Sequence, residues 1–227
     1  YKELAVVRME MQKKGEEVLA YMEKTGKRGI VLAGRPYHVD PEINHGIPEM
    51  IASYDLAVLT EDSLPIDFTP ERPLRANDQW VYHSRLYTAA EFVRRCDGLE
   101  LIQLNSFGCG LDAVTTDEVC ELLEQGGKLY TCLKIDEVNN LGAVRIRIRS
   151  LLAAVAMRRE RGIHSTSHVQ PFERVYYTKE MQKQHYTILA PQMSPIHFDV
   201  LEPVFAKHGY NVVLLKNDDR RAIDMGL

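Results

Sequence analysis

The stretch from Leu101 to Val119, "LIQLNSFGCGLDAVTTDEV", decides how the rest of the chain reads. It opens with an apolar run of the buried-strand type, breaks at Asn105-Ser106, and sets a cysteine between two glycines. The pattern Thr115-x-x-Glu118 is a capping box and predicts a helix that starts there and runs to Gly126-Gly127. A strand that turns directly into a helix is half of a βαβ unit, the connection that parallel sheets require.

The segments on either side repeat this alternation. "GIVLAG", "DLAVLTEDS", "GLELIQLN" and "KLYTCLKID" predict four strands at about 29–34, 55–60, 99–104 and 129–135. "PEINHGIPEMIASY" and "WVYHSRLYTAAEFVRRC" predict helices, and Asn139 or Asn140 can cap another, "LGAVRIRIRSLLAAVAMRRE". The expected fold class is therefore α/β: a doubly wound parallel sheet over residues 28–158, preceded by an N-terminal helix over 1–27. Residues 159–184 are polar and aromatic without a clear period and read as a crossing segment. "HYTILAPQMSPIHFDVLEPVFAKHGYNVVLLKNDD" then repeats the layout of residues 29–63: strand, Pro-containing loop with a His, helix, strand, acids. This predicts the start of a second, similar α/β lobe over 185–227, packed on the first lobe or on another copy of the chain. "NDDRRAIDMGL" reads as a helix opening without its second turn, and residue 1 is Tyr, so the chain is expected to be a piece cut from a longer protein.

Composition excludes several classes. The chain has 227 residues, 45% hydrophobic and 26% charged, with a net charge of −4, so no basic footprint suggests nucleic acid. No apolar run approaches the roughly 20 residues of a membrane span. Cysteines at 96, 109, 120 and 132 form neither a CxxC pair nor a disulfide framework, which points to a reducing, cytoplasmic setting. Walker A, GxGxxG and GxSxG patterns do not occur, so ATP hydrolysis and NAD chemistry have no support within this segment.

Doubly wound sheets bind ligands at the carboxyl ends of their strands. That rule selects Arg35, Tyr37 and His38 after the first strand, and Glu61, Asp62 and Ser63 after the second. After the third it selects Asn105, Ser106, Cys109 and Asp112, and after the fourth Asp136, Asn139 and Asn140. The corresponding loop of the second lobe offers Gln192, Ser194 and His197. Cys132 in a strand, Cys120 inside a helix and Cys96 at a helix end read as ordinary buried thiols. Cys109 is different, because Gly108 and Gly110 open the backbone around it and the following helix N-terminus favours a thiolate. The residues alone leave two readings of it: a tight turn with an incidental thiol, or a ligand for a metal or iron–sulfur cluster. His164 and His168 read as a solvated pair. Arg145 and Arg149 flank the apolar stripe Leu141, Val144, Ile148, Leu152 and Val155, either with stems laid over the core or as an anion or subunit contact.

"GIVLAGRPYHVDPEINHGIPEMI", "NSFGCGLDAVTTDEV" and "LKIDEVNNLGAVRIRIRSLLAA", in that order, resemble the acyl-CoA dehydratase activase-related family. These large multidomain proteins, 2-hydroxyacyl-CoA dehydratase activator-like, join activase-type ATPase modules to a module similar to the dehydratase D component. The resemblance covers nearly the whole chain and places it in the D-component-like part and its neighbouring domain, outside the ATPase. It implies a fragment of an ATP-coupled iron–sulfur redox protein of anaerobic metabolism, engaged in low-potential electron transfer. The implied partners are an activase-type ATPase module and an acyl-CoA or other small-molecule substrate. The family's cluster loop carries a Lys-Phe-Cys-Asp-Pro-like string, and Ser106-Phe107-Gly108-Cys109-Gly110 stands in its place, so Cys109 maps to a cluster cysteine. Gly108 is an insertion and the Asp-Pro pair is missing. The remaining cluster ligands would come from outside the segment, so Cys109 is expected to be free here, in neither a disulfide nor a complete cluster, and the fragment inactive alone. Arg35, Tyr37, His38, Asn105, Ser106, Asp112 and Arg145 are the expected ligand-binding residues. The competing expectation is a non-catalytic docking or CoA-ester-binding domain without a cluster of its own.

Overall fold

The structure is a computed structural model that describes residues 2–65, 70, 74–75, 79–106, 110–135, 141–163, 173, 175–216 and 219–226. Its described residues fall into two compact units, Tyr1–Glu173 and Arg174–Leu227.

In the first unit every residue of two strands is buried, which is what a continuous apolar run in a sheet covered on both faces requires. The elements in chain order are α1 (Lys2–Thr25), β1 (Gly29–Ala33), α2 (Pro41–Asn44), α3 (Ile47–Ala52), β2 (Ala57–Thr60), α4 (Val81–Arg95), β3 (Leu99–Asn105), α5 (Gly110–Gln125), β4 (Thr131–Lys134) and α6 (Leu141–Glu160). The four strands pair in parallel in the order β2-β1-β3-β4, with Gly29 opposite Ala57 on one side of β1 and opposite Leu99 on the other. Alternate residues of β1 face opposite cores. Val31 and Ala33 meet Met22 of α1, Leu86 and Tyr87 of α4 and Leu122 of α5. Ile30 and Leu32 meet Ile47 and Ile51 of α3 and Ile148 and Leu151 of α6. The doubly wound α/β sheet expected from the sequence is therefore present, each strand lying within two residues of its expected bounds.

Three local expectations need correction. The helix after β3 starts at Gly110, five residues before Thr115. Thr115 and Glu118 are buried inside it, because with Val119 and Leu122 they form the i, i+3, i+4, i+7 stripe turned inward. The expected helix over "PEINHGIPEMIASY" is two helices. Asn44 Oδ1 accepts the Gly46 N–H at 3.0 Å, and His45 and Gly46 take left-handed conformations that no α-helix can continue through. β2 begins at Ala57, not residue 55, because Asp55 is left-handed as well.

In the second unit α7 (Lys179–Lys183) is followed by β5 (Thr187–Pro191), α8 (Pro195–Lys207), β6 (Asn211–Leu215) and α9 (Arg220–Gly226). β5 and β6 pair in parallel, Thr187 opposite Asn211, which is the expected strand–helix–strand start of an α/β lobe. The residues after the last strand form a helix, α9, where only an opening was expected.

Candidate functional site

The order β2-β1-β3-β4 fixes where a ligand can sit. The chain leaves β1 toward β2 on one side and returns to β3 on the other, so the carboxyl ends of β1 and β3 border the crevice of a topological switch point. The segments that follow these strands are tied across it. Arg35, two residues beyond β1, donates from Nε and Nη2 to Asp112 Oδ1 at 3.1 and 2.7 Å. Asp112 lies in the first turn of α5, where the helix dipole favours a carboxylate. His38, in the 3-10 turn Pro36–Val39, meets the Ser106 hydroxyl through Nε2 at 2.6 Å. Gly34 makes room for this ring, since a Cβ there would lie 2.4 Å from His38 Nδ1.

The His38 tautomer follows from its partners. The Arg35 backbone N–H, which can only donate, points to Nδ1 at 2.9 Å. Nδ1 is therefore the acceptor, and Nε2 carries the proton and donates it to Ser106 Oγ. Burial pushes His38 down to about 4, so the ring is neutral at physiological pH. A serine that receives a hydrogen bond from imidazole is not deprotonated by it. Ser106 is a polarised donor rather than the nucleophile of a Ser–His pair.

Two further groups border the crevice. Glu61, directly after β2, is buried and accepts the Gly34 backbone N–H; burial pushes it up to about 7, against the Arg85 guanidinium 3.9 Å away. Arg85 also pairs with Asp62. His83, in the first turn of α4, is only 6% exposed, and neither ring nitrogen has a hydrogen-bond partner among the described residues. Burial first, and then the Arg35 charge, hold it below its ordinary range. Its ring lies 5.3 Å from that of Trp80. His83 escaped the strand-end rule because it sits on a helix. The signal was its place on the buried stripe His83, Leu86, Tyr87 and Ala90.

Of the expected site residues, Arg35, His38, Ser106 and Asp112 are joined by direct hydrogen bonds. Asn105 is buried at the end of β3, and its carbonyl accepts the Ile135 N–H at 2.8 Å. Tyr37 is half-exposed with its ring edge-on to His38 at 4.5 Å. Arg145 is on an exposed face of α6 and makes no part of this network. Cys109, with Phe107 and Gly108, lies outside the described residues, as do Asp136, Asn139, Asn140, His164 and His168.

The described residues do not fit an iron–sulfur cluster. Among them no group of three or more His, Cys, Asp and Glu side chains could hold a metal ion. Cys96 closes α4, just before β3 begins and therefore at the sheet edge away from the crevice. Burial pushes its thiol up, and does the same to Cys132; at Cys120 partial burial first, and then Glu124, push the thiol up to about 11.

The fold and crevice define a doubly wound α/β domain with a polar switch-point site. Residues 1–64 match the family model described as the CoA enzyme activase uncharacterised domain, consistent with an activase-related protein. No curated protein and no solved structure matches the chain. Among the described residues no helix is long and apolar enough to cross a membrane.

Proposed function

We propose that this domain is a small-molecule-binding module of an activase-related protein, taking the acyl portion of a CoA ester at the β1–β3 switch point. One observation carries the reading: the neutral His38 donates to Ser106 Oγ at the carboxyl end of β3, so the hydroxyl's own proton is available to a ligand. A thioester carbonyl offers the acceptor such a donor needs. The part-buried Arg35–Asp112 pair fixes the segments on which both groups stand, and Ser106 accepts a hydrogen bond from His38 rather than giving up a proton to it. Titration calorimetry with butyryl-CoA tests this. Binding is expected, and Ser106→Ala should weaken it about tenfold by removing one hydrogen bond from a desolvated site. No binding to the unaltered chain, or equal binding by the variant, overturns the reading.

A second reading, low-potential electron transfer with an activase-type ATPase as partner, rests on Cys109 and the family resemblance. Its support here is placement in the sequence: Cys109 falls between the last residue of β3 and the first of α5, three residues before Asp112. Anaerobic iron–sulfur reconstitution of the full-length protein, with iron content and absorbance as readouts, tests it. Loss of the cluster in Cys109→Ser supports the reading, and no cluster in the unaltered protein removes it.

A further inference from the structure

The opposite, amino-terminal edge of the same sheet carries a cavity of about 860 Å³, within the usual size range of small-molecule sites. It lies where α1 ends, β1 and β3 begin and α6 ends, far along the strands from the switch-point crevice. Its apolar lining is formed by Leu19, Met22, Leu129, Val155 and Ile163. Its charged lining is unbalanced, with Lys27, Arg28, Lys128, Arg158 and Arg159 against Glu23, Asp97 and Glu100. That excess of cation is not a solvated surface pattern, because much of it is built into the walls. Lys128 Nζ donates to the Cys96 and Leu99 carbonyls at 2.7 and 2.8 Å. Arg28 donates to Glu100 Oε1 at 2.8 Å, and Arg158 to the Gly127 carbonyl at 3.0 Å. Glu100 is 6% exposed and its second oxygen, Oε2, has no hydrogen-bond partner among the described residues. The Glu100 carboxylate accepts from Arg28 at its other oxygen and repels a second anion, so an anionic head belongs toward Arg158 and Arg159 and away from it. Arg159, in the last turn of α6, stands exposed at the rim.

We infer that this cavity is a second binding site, for a small anion with an apolar body: the body lies against Leu19, Met22 and Val155, and the phosphate or carboxylate head meets Arg158 and Arg159. The site is separate from the switch-point crevice, and its test does not depend on CoA-ester binding there.

Cys96 supplies a local reporter, since it lines the cavity and is half-buried, whereas Cys132 lies in β4 outside it. The rate of Cys96 alkylation by iodoacetamide is read by peptide mass spectrometry, with Cys132 as the internal control. Octanoate and ADP serve as probes for an acyl and a nucleotide body, and inorganic phosphate as the bare anion. Octanoate or ADP should slow Cys96 about threefold at twice its dissociation constant while leaving Cys132 unchanged. Arg159→Glu, on an exposed face, should raise the concentration needed about tenfold. Protection by either probe supports the site and tells which body it takes. Equal protection by phosphate alone, no protection by any probe, or an unchanged response in Arg159→Glu overturns it.

Discussion

His38 and Glu61 are held on opposite sides of their ordinary titration ranges by the same cause, burial beside the crevice. Between pH about 4 and 6.5 the folded chain binds fewer protons at His38 than the unfolded chain does, so this group lowers stability as pH falls through that window. Between about 4.5 and 7 the folded chain binds more protons at Glu61, so that group lowers stability as pH rises. The two slopes oppose each other. Glu61→Gln removes one of them, and its stability relative to the unaltered chain should climb from pH 4.5 to 7 by up to about 1.4 kcal/mol per unit. Urea unfolding at several pH values measures this, and a constant difference would show that Glu61 titrates alike in the folded and unfolded chains. Gly34 has a steric role at the same site. In Gly34→Ala the added methyl would lie 2.4 Å from His38 Nδ1 and 3.1 Å from the Leu104 carbonyl. The ring must move, which should cost about 2 kcal/mol in urea unfolding and remove the His38–Ser106 hydrogen bond. Full stability in the variant would place the ring elsewhere.

Among the elements, α1 is anchored by a glycine. A Cβ on Gly15 would stand 1.7 Å from the Ser63 carbonyl oxygen, so the helix backbone lies directly on the turn after β2. Alanine at a helix interior usually gains about 1 kcal/mol over glycine. Gly15→Ala should instead lose about 2 kcal/mol, because backbone meets backbone and neither can yield. A raised melting temperature would mean that α1 does not pack there. The elements also show what was legible beforehand. The strands were, because a buried parallel strand announces itself as an apolar run bounded by glycine and acids, as in "GIVLAG" and "DLAVLTEDS". The start of α5 was not, because Thr115 and Glu118 imitate a cap while filling a buried stripe. At the site, Arg35, His38, Ser106 and Asp112 could be selected by the strand-end rule, but their pairing depends on the order β2-β1-β3-β4, which no local pattern encodes. The unpartnered state of His83 is likewise a property of packing alone.

At the scale of the molecule, β1 is the strand on which the first unit is assembled. It pairs with β2 through one edge and with β3 through the other, and all five of its residues are buried. The segment matched by the family model ends at residue 64, after β2, so it holds two of the four strands of this sheet. Expressed alone, residues 1–64 should not fold cooperatively. The edge of β1 that pairs with β3 would be bare, as would the apolar faces that α4, α5 and α6 cover. Circular dichroism and sedimentation should find a poorly structured, aggregating fragment, and a monomer with a sharp thermal transition would contradict the shared sheet. The boundary of the recognisable segment therefore runs through the middle of a physical object. Recombination that moved this stretch between genes as a cassette would leave donor and recipient each with half a sheet, so inheritance must carry residues 1–64 together with the β3–β4 half that completes them.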